Sequence, residues 1–189
     1  VVGPLPADAT ERRVLVMHEA WHRIQASLGL PMQNVGAAHL ESERARYLMR
    51  LEFRALATAM LSNGRARRVA LRDALTFRRA RFDAFPEAAA TETALDRHEG
   101  LAAYTGVALG AGESGAGYAS RALIAADQSD SLARTYAYAT GPAYGLMLDE
   151  LQPGWRTALE AWAPADLLVG PARVQPLSNR ELERRAARY

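Results

Sequence analysis

The sequence predicts a mainly α-helical, multi-helix fold in a single domain. Three observations carry that expectation. Apolar residues recur at three- and four-residue steps between breakers, as in Val14, Leu15, His18, Trp21, His22, Gln25 and Leu28. Strand-like alternation is almost absent, and Leu167-Leu168-Val169 is the only β-leaning run. The chain has 189 residues, 49% of them hydrophobic, which suits one domain with a sizeable core.

The first helix is predicted over Thr10 to Leu28, a stretch free of Pro and Gly. Asp8 or Thr10 offers an N-cap, Glu11 lies in the first turn, and Gly29 and Pro31 end the helix. Leu40 to Leu61 follows, with Leu40, Tyr47, Leu48, Leu51, Ala55 and Met60 in phase; Ser62-Asn63-Gly64 closes it. The next helix runs from Arg65 to Phe85 and stops at Pro86. Pro86 then stands at the first turn of a helix over Glu87 to Leu109. The Gly-rich run 110–117 reads as a flexible loop bordering a cleft. It lacks the G-K-[ST] ending of a phosphate loop, and no strand precedes it. A short helix at Tyr118 to Asp127 leads to a long one at Ser129 to Leu151, capped by Ser129 or Ser131 and bent at Gly141-Pro142. Trp155 to Trp162 and Asn179 to Arg188 are short terminal helices, with Trp155 and Trp162 as packing anchors.

Charge excludes some functions. The formal charge is +2, and all 23 basic residues are Arg. The high pI follows from that usage and does not indicate a nucleic-acid binder. The densest basic stretch, Arg65 to Arg81, alternates with apolar residues and reads as the wet side of an amphipathic helix. No apolar run approaches the ~20 residues of a membrane span. The Arg-, Ala- and Gly-rich composition is that of a GC-rich bacterial genome. No signal peptide is visible, yet the chain starts at Val1; the expectation leans slightly to a secreted or periplasmic protein.

There is no Cys, so any metal must be held by His and carboxylate. The chemistry is concentrated in His18-Glu19-Ala20-Trp21-His22, an H-E-x-x-H. On a helix, residues four apart share a face, about 6 Å apart along the axis. His18 and His22 can therefore grip one ion, while Glu19 can reach a water beside it, the layout of a zinc hydrolase. A third ligand must come from another helix. The candidates are His39, Glu41, Glu43, Glu52, Asp96, His98 and Glu99. His39 and His98 read as hydrogen-bonding residues, and His98, adjacent to Glu99, should point off the ligand face. Glu52 reads equally as a member of a buried ion pair, with Arg54 or between helices. Tyr136, Tyr138 and Tyr144 read as core packing with hydroxyls at the rim.

Glu99-Gly100-Leu101-Ala102-Ala103-Tyr104 resembles the E-G-x-A-x-Y segment of the gluzincin metallopeptidases, the aminopeptidase and thermolysin-like group of zincins. Tyr138-Ala139-Thr140-Gly141 is similar to the Y-x-x-G helix of the aminopeptidase branch. With the H-E-x-x-H, three motifs stand in the family's order over about a third of the chain. The resemblance implies a zincin-like catalytic domain in which Zn2+ is bound by His18, His22 and Glu99. It implies Glu19 as general base and Tyr138 as donor to the oxyanion, acting on a peptide or protein substrate. The helices at 40–61 and 65–85 then form an inserted hairpin.

The chain also departs from that family. The aminopeptidase spacing from the second histidine lands on Glu41, while Glu99 stands much further on. Glu52 remains a third candidate, or a group orienting a ligand. The family's β lobe and its acidic amino-terminus motif are missing. Residues 1–189 are thus a single helical domain whose cleft is built differently, or a piece of a longer chain lacking that lobe. An endopeptidase-like or other hydrolase is expected, and the competing expectation is a catalytically inactive helical binding module.

Overall fold

The structure, a computed structural model, describes residues 4–30, 35–158, 163–175 and 177–189. Asp8 starts the first helix: its Oδ1 accepts the N–H groups of Thr10 and Glu11, both at 2.8 Å. Helix α1 spans Ala9–Gln25 and tightens into a 3-10 turn at Ala26–Leu28. Gly29, at φ 76°, ends it in the left-handed conformation that only glycine adopts cheaply. Leu28 is exposed, because the tightened turn rotates it off the buried stripe. Pro31, the other expected terminator, lies outside the described residues.

Helices α2 (Glu43–Leu61) and α3 (Gly64–Ala84) form an antiparallel hairpin over a short connection. Helix α4 (Ala88–Leu95) passes through one π turn, Asp96–Gly100, directly into α5 (Leu101–Gly110). Next come α6 (Gly115–Asp127), α7 (Tyr136–Leu151), α8 (Pro164–Val169) and α9 (Asn179–Ala186). The protein is mainly helical, and no strand occurs among the described residues. Helix α1 packs along α5, α2 packs on α3 and α6, and α7 lies against α5, α6 and the π turn. Leu48, Phe53 and Leu56 of α2, Leu71, Leu75 and Phe77 of α3, and Met147 and Leu148 of α7 fill the core.

Four sequence expectations change. The Gly-rich run is a single 3-10 turn followed by the first turn of α6. A Cβ on Gly115 would meet Val107 and Leu146 at ordinary contact distance, so space does not require glycine there. Helix α7 starts at Tyr136 rather than near Ser129, because the preceding carbonyls are already taken. Arg50 binds the carbonyls of Asp127 and Ser129, and Ser131 O accepts from Ser129 and Thr135 hydroxyls. Leu167-Leu168-Val169 is helical: Pro164 opens α8, and Asp166 accepts the Ala163 N–H at 3.3 Å. Trp155 is buried in a 3-10 turn with its Nε1–H 3.0 Å from Asp149, while Trp162 lies outside the described residues.

The fourth change concerns the basic stretch. Arg65 and Arg68 face solvent, but Arg78 and Arg81 are buried. Arg81 meets Glu92 with Nε and Nη2, at 2.6 and 2.7 Å, and Glu52 with Nη2 at 2.6 Å. Arg78 contacts Asp96 at 2.5 Å and Glu92 at 3.2 Å. His39 Nε2–H donates to Glu92 at 2.7 Å, and the Tyr144 hydroxyl donates to Glu52 at 2.6 Å. Two guanidiniums thus serve three carboxylates. Burial lifts the Asp96 carboxyl to about 7 against the pull of Arg78, with Glu92 and Glu52 adding to the rise. Burial also acts on Glu92, but Arg81 outweighs it and holds that carboxyl at about 2.

Small residues set the helix spacing. A Cβ on Gly106 would stand 2.7 Å from Val14 O, and one on Gly110 2.5 Å from Val14 N. A Cβ on Gly141 would stand 2.3 Å from Gly100 O, so α7 crosses the π turn backbone to backbone. Gly141→Ala is expected to destabilise the protein by about 2 kcal/mol or more, since main chain must move rather than a side-chain tip. Urea unfolding checks this, and an unchanged midpoint would contradict the close crossing.

Candidate metal centre

The centre is assembled from one face of α1 and the π turn. His18 and His22, one helical turn apart, direct their Nε2 atoms to a common point, 3.1 Å from each other. Glu99 Oε2 lies 3.4 Å from His18 Nε2 and 3.5 Å from His22 Nε2. His18 is buried, His22 and Glu99 are half-buried, and Glu99 Oε2 is enclosed without a hydrogen-bond partner of ordinary length. Three ligands at about 2.0–2.2 Å around a tetrahedral ion stand about 3.3–3.5 Å apart. The three donor atoms approximate that triangle, with the imidazole pair slightly closer.

The protonation pattern fits the same role. His22 Nδ1 lies 2.9 Å from Gln25 Oε1, and an amide oxygen only accepts, so Nδ1–H donates. That tautomer leaves the Nε2 lone pair facing the centre. Burial pushes the Glu99 carboxyl up, but contacts with His18 and the Tyr138 hydroxyl prevail and hold it at about 2. It is therefore an anion across the neutral range. Burial and the bond to Glu99 raise the Tyr138 phenol, which keeps its proton. The Tyr138 ring stacks on His18, with centroids 5.4 Å apart and planes 16° apart.

Other candidates fall away. Glu41 is exposed at the end of a 3-10 turn, where its backbone carbonyl accepts from Arg46, and Glu43 is exposed in the first turn of α2. Glu52, Asp96 and His39 belong to the buried ion network; Arg54 instead pairs with Asp127 at 2.9 Å. Tyr136 and Tyr144 are fully buried with internal partners, the Glu92 carbonyl and the Glu52 carboxylate, rather than at a rim. Glu19 is exposed on the wall of a cleft of about 460 Å³ that also contains His18 and Tyr138.

His98 departs from expectation. Its Nδ1 is 3.6 Å from Glu99 Oε1, and its ring meets that of His22 edge-on at 5.1 Å. A π turn closes over five residues, so neighbouring side chains fan apart less than in an α-helix. His98 is thereby brought to the back of the centre. Gln25 was passed over as one member of the buried stripe. Its position three residues after His22, on the same face, was the available signal. If the cluster holds a divalent ion, Gln25→Leu is expected to lower its affinity about 10–100-fold with stability retained, because Gln25 Nε2 is buried and unpartnered. Competition with a chromophoric chelator measures it.

Family models, curated proteins and solved structures provide no match to this chain, and the centre stands on its own geometry.

Proposed function

We propose that the protein is a zinc-dependent hydrolase of peptide or amide bonds, with His18, His22 and Glu99 holding the ion. The observation that carries this reading is the convergence of two Nε2 atoms and one carboxylate oxygen at 3.1–3.5 Å. The three motifs resembling those of gluzincins support it. An octahedral iron(II) centre uses the same donors at right angles, with edges of about 3.0 Å, and two of the three edges here are longer.

When bound, a zinc ion supplies a Lewis acid that polarises a carbonyl and lowers the pKa of a water towards 7. Glu19 stands one residue after His18 on the cleft wall, where its carboxylate can accept the proton of the attacking water. Tyr138 keeps its proton and donates to the carbonyl oxygen as charge develops there, exchanging Glu99 for that oxygen. Apolar side chains from α5 and α6 line the cleft beside the reacting bond.

The test is metal analysis of the purified protein, followed by Glu19→Gln. The variant is expected to retain zinc and lose about a hundred- to ten-thousandfold in turnover of a quenched peptide library. Zinc retention with no turnover by the unaltered protein would favour the inactive binding module. Iron in place of zinc would reject the hydrolase assignment.

A further inference from the structure

The cleft at the centre does not end at the metal ligands. Its walls are Val14 and Leu15 of α1, Ala103 and Val107 of α5, and Tyr118 and Ala122 of α6. A second cavity, also about 460 Å³, shares Glu11, Tyr118 and Ala122 with the first and continues past Asp8 and Arg121. The two adjoin at these three residues, and the first by itself forms a groove that runs from His18 past apolar walls to Glu11.

The charges are unequal. Asp8, Glu11 and Glu19 line the two cavities against Arg121, on a chain whose net charge is +2. Asp8 is occupied as the N-cap of α1. Glu11 has no ion-pair partner among the described residues, and it lines both cavities together with Tyr118. Glu11 and His18 are seven residues apart on one face of α1, about 10 Å along the axis. A divalent cation held by two neutral imidazoles and the Glu99 carboxylate, with Glu19 beside it, leaves the near end close to neutral. The groove is therefore balanced at the metal, apolar between and negative two turns away.

We propose that this groove selects an apolar chain carrying a cationic group about 10 Å from the metal-binding atom, with Glu11 receiving the cation. For a peptide, that means apolar residues at the cleaved bond and a Lys or Arg within the next three positions, since three extended residues span about 10 Å. This rests on the zinc-centre reading above and adds the substrate class to it.

The test uses the zinc-loaded full chain and calorimetric binding of two probes, octanohydroxamate and its ω-amino analogue, at low ionic strength. The ω-amino compound is expected to bind about tenfold more tightly, with the preference shrinking as salt rises. Glu11→Gln is expected to bring the two affinities together. Equal binding of both probes by the unaltered protein overturns the groove assignment while leaving the centre intact. A preference that survives Glu11→Gln overturns the role of Glu11. Failure of both probes to bind rejects the metal centre and the groove with it.

Discussion

On the zinc reading proposed above, Glu99→Ala is expected to lower the affinity for zinc by more than about a hundredfold and to leave the helical fold in place. A group that merely orients a ligand is worth about 10–100-fold, and Glu99 supplies a donor atom itself, one enclosed opposite both imidazoles. It is the sole carboxylate in the cluster among the described residues, and the other two glutamates considered as third ligand cannot replace it: Glu52 is committed to Arg81 and Tyr144, and Glu41 faces solvent. Glu99 takes no part in the buried ion network, so its loss leaves the core untouched. A chelator competition gives the affinity, and circular dichroism the fold. Affinity within a few-fold of the unaltered protein would place the ion elsewhere.

Arg81→Met is expected to cost about 3–5 kcal/mol of stability, the largest single effect outside the centre. The substitution leaves Glu92 without its two-pronged partner and Glu52 without its shortest contact to a cation, both in an interior that excludes water. For a chain of this length that loss lowers the melting temperature by about 10 °C. Adding Glu92→Gln removes one of the stranded charges, so the double variant should fall short of the sum of the single effects. Additive losses in urea unfolding would show that the two groups do not act as a pair.

Much of this was legible in the chain. The helical class follows from periodicity, and α1 from Asp8, the uninterrupted run and Gly29. The convergence of His18 and His22 follows from spacing alone. Glu99 was indicated only by the motif around it, and its placement depends on a π turn that no residue pattern announces. The buried arginines were misread because the wet side of a helix and a buried ion network have the same sequence pattern; only the partners, Glu52, Glu92 and Asp96 on other elements, tell them apart. The late start of α7 was hidden because Arg50, 79 residues before Ser129, takes the Ser129 carbonyl that an earlier helix start would use. Gly100 and Gly141 resembled parts of a catalytic motif or a bend. In the fold, Gly141 lets α7 touch the π turn and Gly145 makes room for the Tyr104 ring.

The near contact of α1 and α5 at Gly106 and Gly110 has a bearing on ion choice. Where two helices meet with main chain against main chain, no side chain remains to be trimmed, and the gap has a hard lower limit. The elements that carry the imidazoles and the acid cannot be drawn closer together than this spacing. Calcium, which takes six to eight oxygens at about 2.3–2.6 Å, is disfavoured by the two nitrogen donors.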